Sequence, residues 1–330
     1  DDIEKSYNST PIPLNIPIGA EASFKGIIDL ISMKAFTYDN GSPKEGAIPD
    51  AQMAEAEEYR KRLIEKIAEL NDDLLEKYLE GGDLSADEII KGIREGSITR
   101  RFIPVACGSA TRNIGIQQLL DIMVMCLPSP VEKAQITPIT GINPKNGETV
   151  SRKPEQSEPL SARVFKTIAD PFAGKLTLFR IYSGVLKADS TVYNSTRDVK
   201  VKLGHVFYLV GKKQVPVSQA GPGEIVAVAK LKDTQTGDTL SDVGNPVRFE
   251  TVKFSDPMIS YAIEPKSRGD EEKVSTALHR MLEEDPTLKF HREMETKEMI
   301  LSGMGQVHLE VTLEKLKRKF GAEVVMKTPK

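Results

Sequence analysis

The stretch from Ile103 to Gly115, Ile-Pro-Val-Ala-Cys-Gly-Ser-Ala-Thr-Arg-Asn-Ile-Gly, reads as a short buried strand, a tight turn and the start of a helix. The small residues Gly108, Ser109 and Ala110 would let the backbone come close to a flat ligand. N–H groups in such a turn can donate to a carbonyl oxygen on a base, which separates guanine from adenine. The same strand–turn–helix also occurs in α/β proteins that bind no nucleotide, so the turn alone leaves both readings open. Base recognition needs phosphate recognition beside it, and the usual machinery is absent. No GxxxxGK followed by Ser or Thr occurs, which would supply backbone donors, a lysine and a metal-binding hydroxyl. Gly211-Lys212-Lys213 lacks the upstream glycine, and neither Asn-Lys-x-Asp nor Asp-x-x-Gly is present. The chain alone is expected neither to bind nor to hydrolyse GTP, and to hold no metal.

A second candidate is Ser302-Gly303-Met304-Gly305-Gln306-Val307-His308-Leu309-Glu310. Gly303 and Gly305 flank Met304 at a strand-to-helix junction, and N–H groups of the first helical turn can face a phosphate. A tight turn with Met304 in the core explains the same residues. Lys315, Lys317, Arg318 and Lys319 fall in the last turns of the following helix, where they complement its dipole and could meet nucleic acid. His308, like His205, His279 and His291, reads as a packing or surface residue. Gly-x-Ser-x-Gly, His-Glu-x-x-His and Gly-x-Gly-x-x-Gly are all missing. The pattern Asn-x-Thr at Asn8 and Asn194 matches a glycosylation acceptor, but the first residues do not read as a secretory leader and neither site is expected to be used. Cys107 and Cys126 sit in apolar surroundings and read as reduced thiols of a cytoplasmic protein.

Charge is distributed unevenly over the 330 residues, whose net charge is only −3. Between 50 and 98, 14 acidic side chains face 7 basic ones, a balance of −7. Between 159 and 255, 8 acidic face 14 basic, a balance of +6. Solvated faces explain both. A sharper reading is an acidic module for a basic partner and a basic module for phosphate backbones, with Lys200, Lys202, Lys212 and Lys213 as candidate contacts. No window has the ~18 apolar residues of a membrane span.

The elements that must position these groups follow from periodicity. Short strands are expected across 14–38, with Gly26 and Asp29-Leu30 between them, then a turn-rich connector at 39–50. Tyr59, Leu63, Ile67, Leu70, Leu74 and Tyr78 make one apolar stripe, which predicts a single helix over about 51–79 stopped by Gly81-Gly82. Ser85-Ala86-Asp87-Glu88 is a capping box for a short helix ending near Gly96. A linker with a hairpin near Asn146-Gly147 is expected over 134–158. Across 159–252, short strands alternate with turns such as Ala169-Asp170-Pro171 and Thr236-Gly237-Asp238, as in a closed β-barrel. Residues 257–330 read β-α-β-β-α-β, a ferredoxin-like sandwich. The whole is a multidomain α/β, all-β and α+β chain of about two or three domains.

Several segments together resemble the bacterial elongation factor G family. These are "FKGIIDLI" at 24–31, "YRKRLIEKIAELNDDLLEKYLEG" at 59–81, "PVACGSA" at 104–110 and "LPSP" at 127–130, with "DPFAGKLTLFRIYSGVLK" at 170–187 and "TGDTL" at 236–240. "LEEDPTL" at 282–288 and "SGMGQVHLEV" at 302–311 complete the set, in family order along the chain. The stretch 205–224 and "METKEM" at 294–299 depart from the family's usual sequences, so an elongation-factor-G-like paralogue is the other expected identity. The resemblance implies the middle of a five-domain ribosome-dependent GTPase that drives translocation of tRNA and mRNA or ribosome recycling. A ribosome-protection or release-type GTPase, or a non-enzymatic RNA-binding scaffold, would share the same modules. It implies that 1–133 is the later part of the partial P-loop-type nucleotide domain, with a helical insertion, G prime, at about 31–98. It further implies a translation-factor β-barrel at 159–255 and a ferredoxin-like domain at 256–330.

By the same resemblance Gly108, Ser109, Ala110 and Thr111 form the guanine loop, while GTP and Mg2+ belong to the parent protein. Ribosomal RNA would meet the second and third domains, through Gly303, Met304, Gly305, Gln306, Lys315, Arg318 and Lys319 in the latter. A large-subunit stalk protein would meet the acidic helices, and no membrane is involved. The protein is expected to be a cytoplasmic monomer, with mobile residues before about 14 and an exposed sheet edge in the nucleotide domain.

Overall fold

The computed structural model covers residues 1–330 and describes all but Asp1, Asn8, Gly82, Asp83, 171–173, Lys212 and Arg268. Lys212, Asn8, Gly82 and Pro171, all named above, therefore lie outside the described residues. The chain divides into two units, Asp1–Pro128 and Ser129–Lys330.

The first unit runs α1 (Asp2–Tyr7), β1 (Thr10–Pro13), β2 (Asn15–Ile18), β3 (Gly26–Asp29), β4 (Lys34–Asp39), β5 (Ser42–Gly46), α2 (Asp50–Ala68), α3 (Asp72–Leu79), α4 (Ala86–Ile98), β6 (Phe102–Val105) and α5 (Ile116–Cys126). β1 pairs in parallel with β6, Thr10 opposite Phe102 through Pro13 opposite Val105. β2 to β5 form a separate antiparallel meander in sequence order. Both sheets and helices α2 to α5 share one core that includes Ile12, Leu14, Ile28, Leu63, Ile67, Ile89, Ile93 and Phe102.

Four expectations are corrected here. The described residues before 14 are structured, because Thr-Pro-Ile-Pro completes the ladder with β6 and buries Ile12. The connector at 39–50 contains β5, which turns back on β4 at Asn40-Gly41, both with positive φ, a hairpin signal the sequence carried. Gly26 and Asp29 lie inside β3 rather than between strands; a Cβ on Gly26 would sit 2.3 Å from the Phe36 carbonyl oxygen of β4. The expected long helix is two. Asn71 takes an extended conformation and its side chain accepts from the Asp73 N–H at 2.8 Å, so it caps α3 anew without breaking the apolar stripe.

The second unit begins with α6 (Pro130–Ile136) and the hairpin β7 (Ile139–Ile142)–β8 (Thr149–Arg152), which turns with Gly147 at φ 76°. Ile142 bridges to Arg248, which fastens this hairpin to the stretch that leaves the barrel. Next come β9 (Ser161–Asp170), β10 (Gly174–Ser183), β11 (Leu186–Lys187), β12 (Thr191–Asn194), β13 (Val199–Lys202), β14 (Val206–Val210), β15 (Lys213–Val217), β16 (Gln219–Ala220), β17 (Ile225–Ala229) and β18 (Thr239–Ser241). Eight of them pair in the order β13-β12-β18-β9-β10-β17-β14-β15, and β11 pairs with β16. The sheet rolls around one core, since Val201 of β13 and Val206 of β14 share it with Val164, Phe179, Ile181 and Leu240. Among the described residues no ladder joins β13 to β15, so the barrel is not hydrogen-bonded all the way round. The Ala169-Asp170 pair expected in a turn instead ends β9.

A buried polar knot fixes the barrel's "TGD" turn. Gly237 takes φ 99°, which L side chains rarely adopt. The Asp238 carboxylate, 5% exposed, then accepts from Asn194 Nδ2 at 2.9 Å, Arg197 Nε at 2.7 Å and the Gln235 N–H at 2.8 Å. A buried carboxylate survives because each of these donors replaces water.

The chain ends with β19 (Ile259–Pro265), α7 (Glu271–Glu284), β20 (Lys289–Arg292), β21 (Met299–Gly303), α8 (Gln306–Phe320) and β22 (Val324–Lys327). The sheet order is β20-β21-β19-β22, all antiparallel, as the ferredoxin-like reading requires. Val274, Ala277, Leu278 and Met281 of α7 and Leu309 and Leu316 of α8 fill the core below it.

The expected capping box at α4 is formed and extends to α3. Glu88 accepts from the Ser85 N–H at 2.7 Å and hydroxyl at 2.8 Å, and from Lys77 Nζ at 2.8 Å. The Lys77 ammonium, then the Ser85 donors, hold the Glu88 carboxyl down from 4.5 to about 2. A group depressed in the folded state stabilises above its unfolded pKa and loses that contribution as pH falls through the folded one. Replacing Glu88 by Gln is therefore expected to flatten the acid loss of stability between about pH 4.5 and about 2. Urea midpoints measured across that window check it, and identical acid limbs in parent and variant would contradict it.

Candidate functional site

The turn that could face a base is held at both ends. The Cys107 N–H donates to Asn15 Oδ1 at 2.7 Å, and Asn15 Nδ2 returns to the Cys107 carbonyl at 3.5 Å. Asn15 is 6% exposed and follows β1, so the β1–β6 ladder delivers it to the turn. On the other side Ser109 and Ile114 exchange backbone bonds, N–H to O, at 2.8 and 3.0 Å. Gly115 enters α5 at φ 76°, and a Cβ on Gly108 would lie 2.9 Å from the Ile114 carbonyl oxygen. Asn113 Nδ2 and Gln117 Nε2 both donate to the Gly41 carbonyl, at 3.0 and 3.2 Å, tying the β4–β5 turn to the same place.

Within this frame the Ser109 N–H is spent on Ile114, while Gly108, Ala110 and Thr111 are exposed. The outward groups suited to a base are thus those of Ala110 and Thr111, with Arg112 exposed beside them. Burial pushes the Cys107 thiol up, so it stays protonated at neutral pH. Asn15 was not legible as part of the site, since 92 residues separate it from Cys107. Asn113 and Gln117 likewise gave no signal.

The second candidate turn is also braced. His308 Nδ1 accepts from the Met304 N–H at 3.0 Å, and Nε2 meets Asp285 Oδ2 at 2.9 Å. An accepting Nδ1 places the proton of the neutral ring on Nε2, which donates to Asp285. Burial pushes the Asp285 carboxyl up, but the Thr287 hydroxyl and N–H and His308 together hold it below the usual range. Gly303 is buried, and a Cβ there would lie 2.6 Å from Leu309 Cδ2 and 3.0 Å from His308 Nδ1. One N–H of this turn is therefore taken by His308; Met304 and Gly305 are half-buried and Gln306 is exposed. His308 is a brace for the turn rather than a plain packing residue.

The cationic candidates separate. Lys200 and Lys202 point outward at alternate positions of β13, and Lys213 opens β15, so they mark the two edges of the rolled sheet. Lysines on edge strands also discourage strand pairing with another chain. On α8, Arg318 is exposed and Lys315 half-buried. Lys319 is turned inward, with Nζ 2.7 Å from Glu284 Oε2 and its side chain 22% exposed, which removes it from the outer cationic face. Lys317 pairs with Glu323 at 3.1 Å. Among the described residues no cluster of His, Cys, Asp and Glu could hold a metal ion, and no helix is long and apolar enough to cross a membrane.

Comparison with known proteins agrees with these modules. Residues 159–243 match the family model described as elongation factor G domain 2, and 254–328 match that of elongation factor G domain III. The chain is 45% identical over 324 residues to the elongation factor G proteins of Thermotoga petrophila and of Thermotoga neapolitana. Each alignment takes in 97% of this chain and 46% of the relative, so the chain spans about half the length of the curated relatives it matches. A crystal structure from Thermus thermophilus superposes with a TM-score of 0.80 at 31% identity, over 100% of this chain and 46% of that one.

Asn15→Ala removes one donor and one acceptor from a nearly buried backbone pair. It is expected to cost about 1–3 kcal/mol and to speed amide exchange at Cys107. Urea unfolding and hydrogen exchange read the two effects; unchanged exchange at Cys107 would show that the clamp does not hold the turn.

Proposed function

The chain belongs to the elongation factor G family, and from that membership we propose that it forms the ribosome-facing middle of a translational GTPase that moves tRNA and mRNA or recycles the ribosome. The observation that carries this is a two-stranded parallel ladder beside an exposed apolar helix face. β1 and β6 are a parallel pair leading into the Cys107–Ile114 turn, yet parallel strands are normally covered on both faces within a larger sheet. α5 beside them exposes Leu120 (57%), Met123 (47%) and Val124 (81%), and Leu127 follows at 59%. Such a face fits the remaining strands of a GTP-binding domain, carrying the phosphate loop that this sequence lacks.

In this reading 1–133 is the end of the nucleotide domain, 134–158 a linker, 159–255 the barrel and 256–330 the ferredoxin-like domain. Residues of about 31–98 form the inserted acidic helices that receive a basic stalk protein. Ala110 and Thr111 would hold the guanine of GTP, whose phosphates and Mg2+ sit on residues outside this chain. GTP, when bound and cleaved, supplies the change of state that the middle domains pass on. Lys200, Lys202, Lys213 and Arg318 meet ribosomal RNA phosphates, and the Gly305–Gln306 end of the second turn offers backbone N–H groups of its own. The protein works as a cytoplasmic monomer.

Phosphate release from GTP tests the reading. This chain alone is expected to show no turnover, and a protein joining it to a phosphate-binding half is expected to hydrolyse GTP faster when ribosomes are added. Hydrolysis indifferent to ribosomes would overturn the proposal and favour a scaffold role.

A further inference from the structure

Helix α7 runs into Glu283, Glu284 and Asp285, three acids at the helix end where the dipole favours cations. Each acid is answered from outside its own helix. Glu283 lies 3.9 Å from Lys175 Nζ on β10 of the barrel. Glu284 Oε2 accepts from Lys319 Nζ of α8 at 2.7 Å and from the Ala169 N–H of β9 at 3.0 Å. Lys319 Nζ also reaches the Ala169 carbonyl at 3.5 Å. Asp285 takes His308, which braces the Gly303–Gly305 turn. The Glu284 and Lys319 side chains are only 15% and 22% exposed, so each charge depends on the other for the solvation it has lost.

We infer that Glu284 is the joint by which the barrel fixes the ferredoxin-like domain, since one carboxylate oxygen binds both the barrel backbone and α8. Ala169 sits next to the end of β9, opposite Lys175 in the β9–β10 ladder, so the strand edge cannot shift without breaking the bond. The neighbouring Asp285 extends the same helix end to His308 and its turn. The position of that turn therefore follows the barrel. This coupling is a property of the residues from 129 onward and stands independently of any role on the ribosome.

Spin labels carried by genetically encoded keto amino acids at Lys200 in the barrel and Glu295 in the β20–β21 loop test the joint in the full chain. Pulsed distance measurements are expected to give one narrow distribution for the parent. Glu284→Ala and Lys319→Met should each broaden it, and amide exchange at Ala169 should rise about tenfold or more in Glu284→Ala. Glu264→Ala breaks only the exposed Glu264–Lys327 pair and should leave the distribution narrow. If Glu284→Ala does not fold by circular dichroism, Glu284→Gln and Lys319→Met carry the test. Narrow distributions in the folded Glu284 and Lys319 variants, or equal broadening in Glu264→Ala, would overturn the inference.

Discussion

Four residue pairs in parallel, Thr10 to Pro13 against Phe102 to Val105, hold the first unit together. The chain between them makes a long excursion through four strands and three helices before it returns. Closing such an excursion costs entropy that grows only slowly with its length, so a small ladder and a shared core can offset it. The ladder also decides the chemistry. Extending β1 by two residues puts Asn15 against Cys107, and only then does the turn after β6 have a fixed shape.

The same economy appears in the barrel and the ferredoxin-like domain, where a carboxylate stands at each critical turn. Asp238 gathers three donors under the Gly237 turn, and Glu284 gathers an ammonium and a backbone N–H where barrel and sandwich meet. Both are acids in low-dielectric surroundings that persist because every donor is well placed. The family motifs "TGDTL" and "LEEDPTL" thus read as structural: the residues they specify tie distant backbones together. The cations left outside these ties, Lys200, Lys202, Lys213 and Arg318, remain available to a phosphate-rich partner.

Legibility in the sequence followed the range of the interaction. The capping box at Ser85, the apolar faces of α7 and α8 and the order of strands in the ferredoxin-like domain were readable, because each is written in residues three or four apart or in simple alternation. The break at Asn71 was missed because the apolar stripe continues through it, although Asn-Asp-Asp is a cap signal. β5 was missed because all five of its residues are exposed, and it is held by β4 rather than by burial. At the site, Gly108 and Gly303 could be identified from their type, whereas Asn15 and Glu284 could not. Their partners lie 92 and 115 positions away, and only the fold brings them together.

Whether this chain faces the ribosome is most directly measured by co-sedimentation of the 330-residue chain with ribosomes as the salt concentration is raised. Neutralisation of RNA phosphates by a few lysines and arginines predicts binding that weakens steeply and log-linearly with salt. Replacing Lys200 and Lys202 together should reduce that slope. No binding at low salt, or binding indifferent to both salt and the two lysines, would contradict the account.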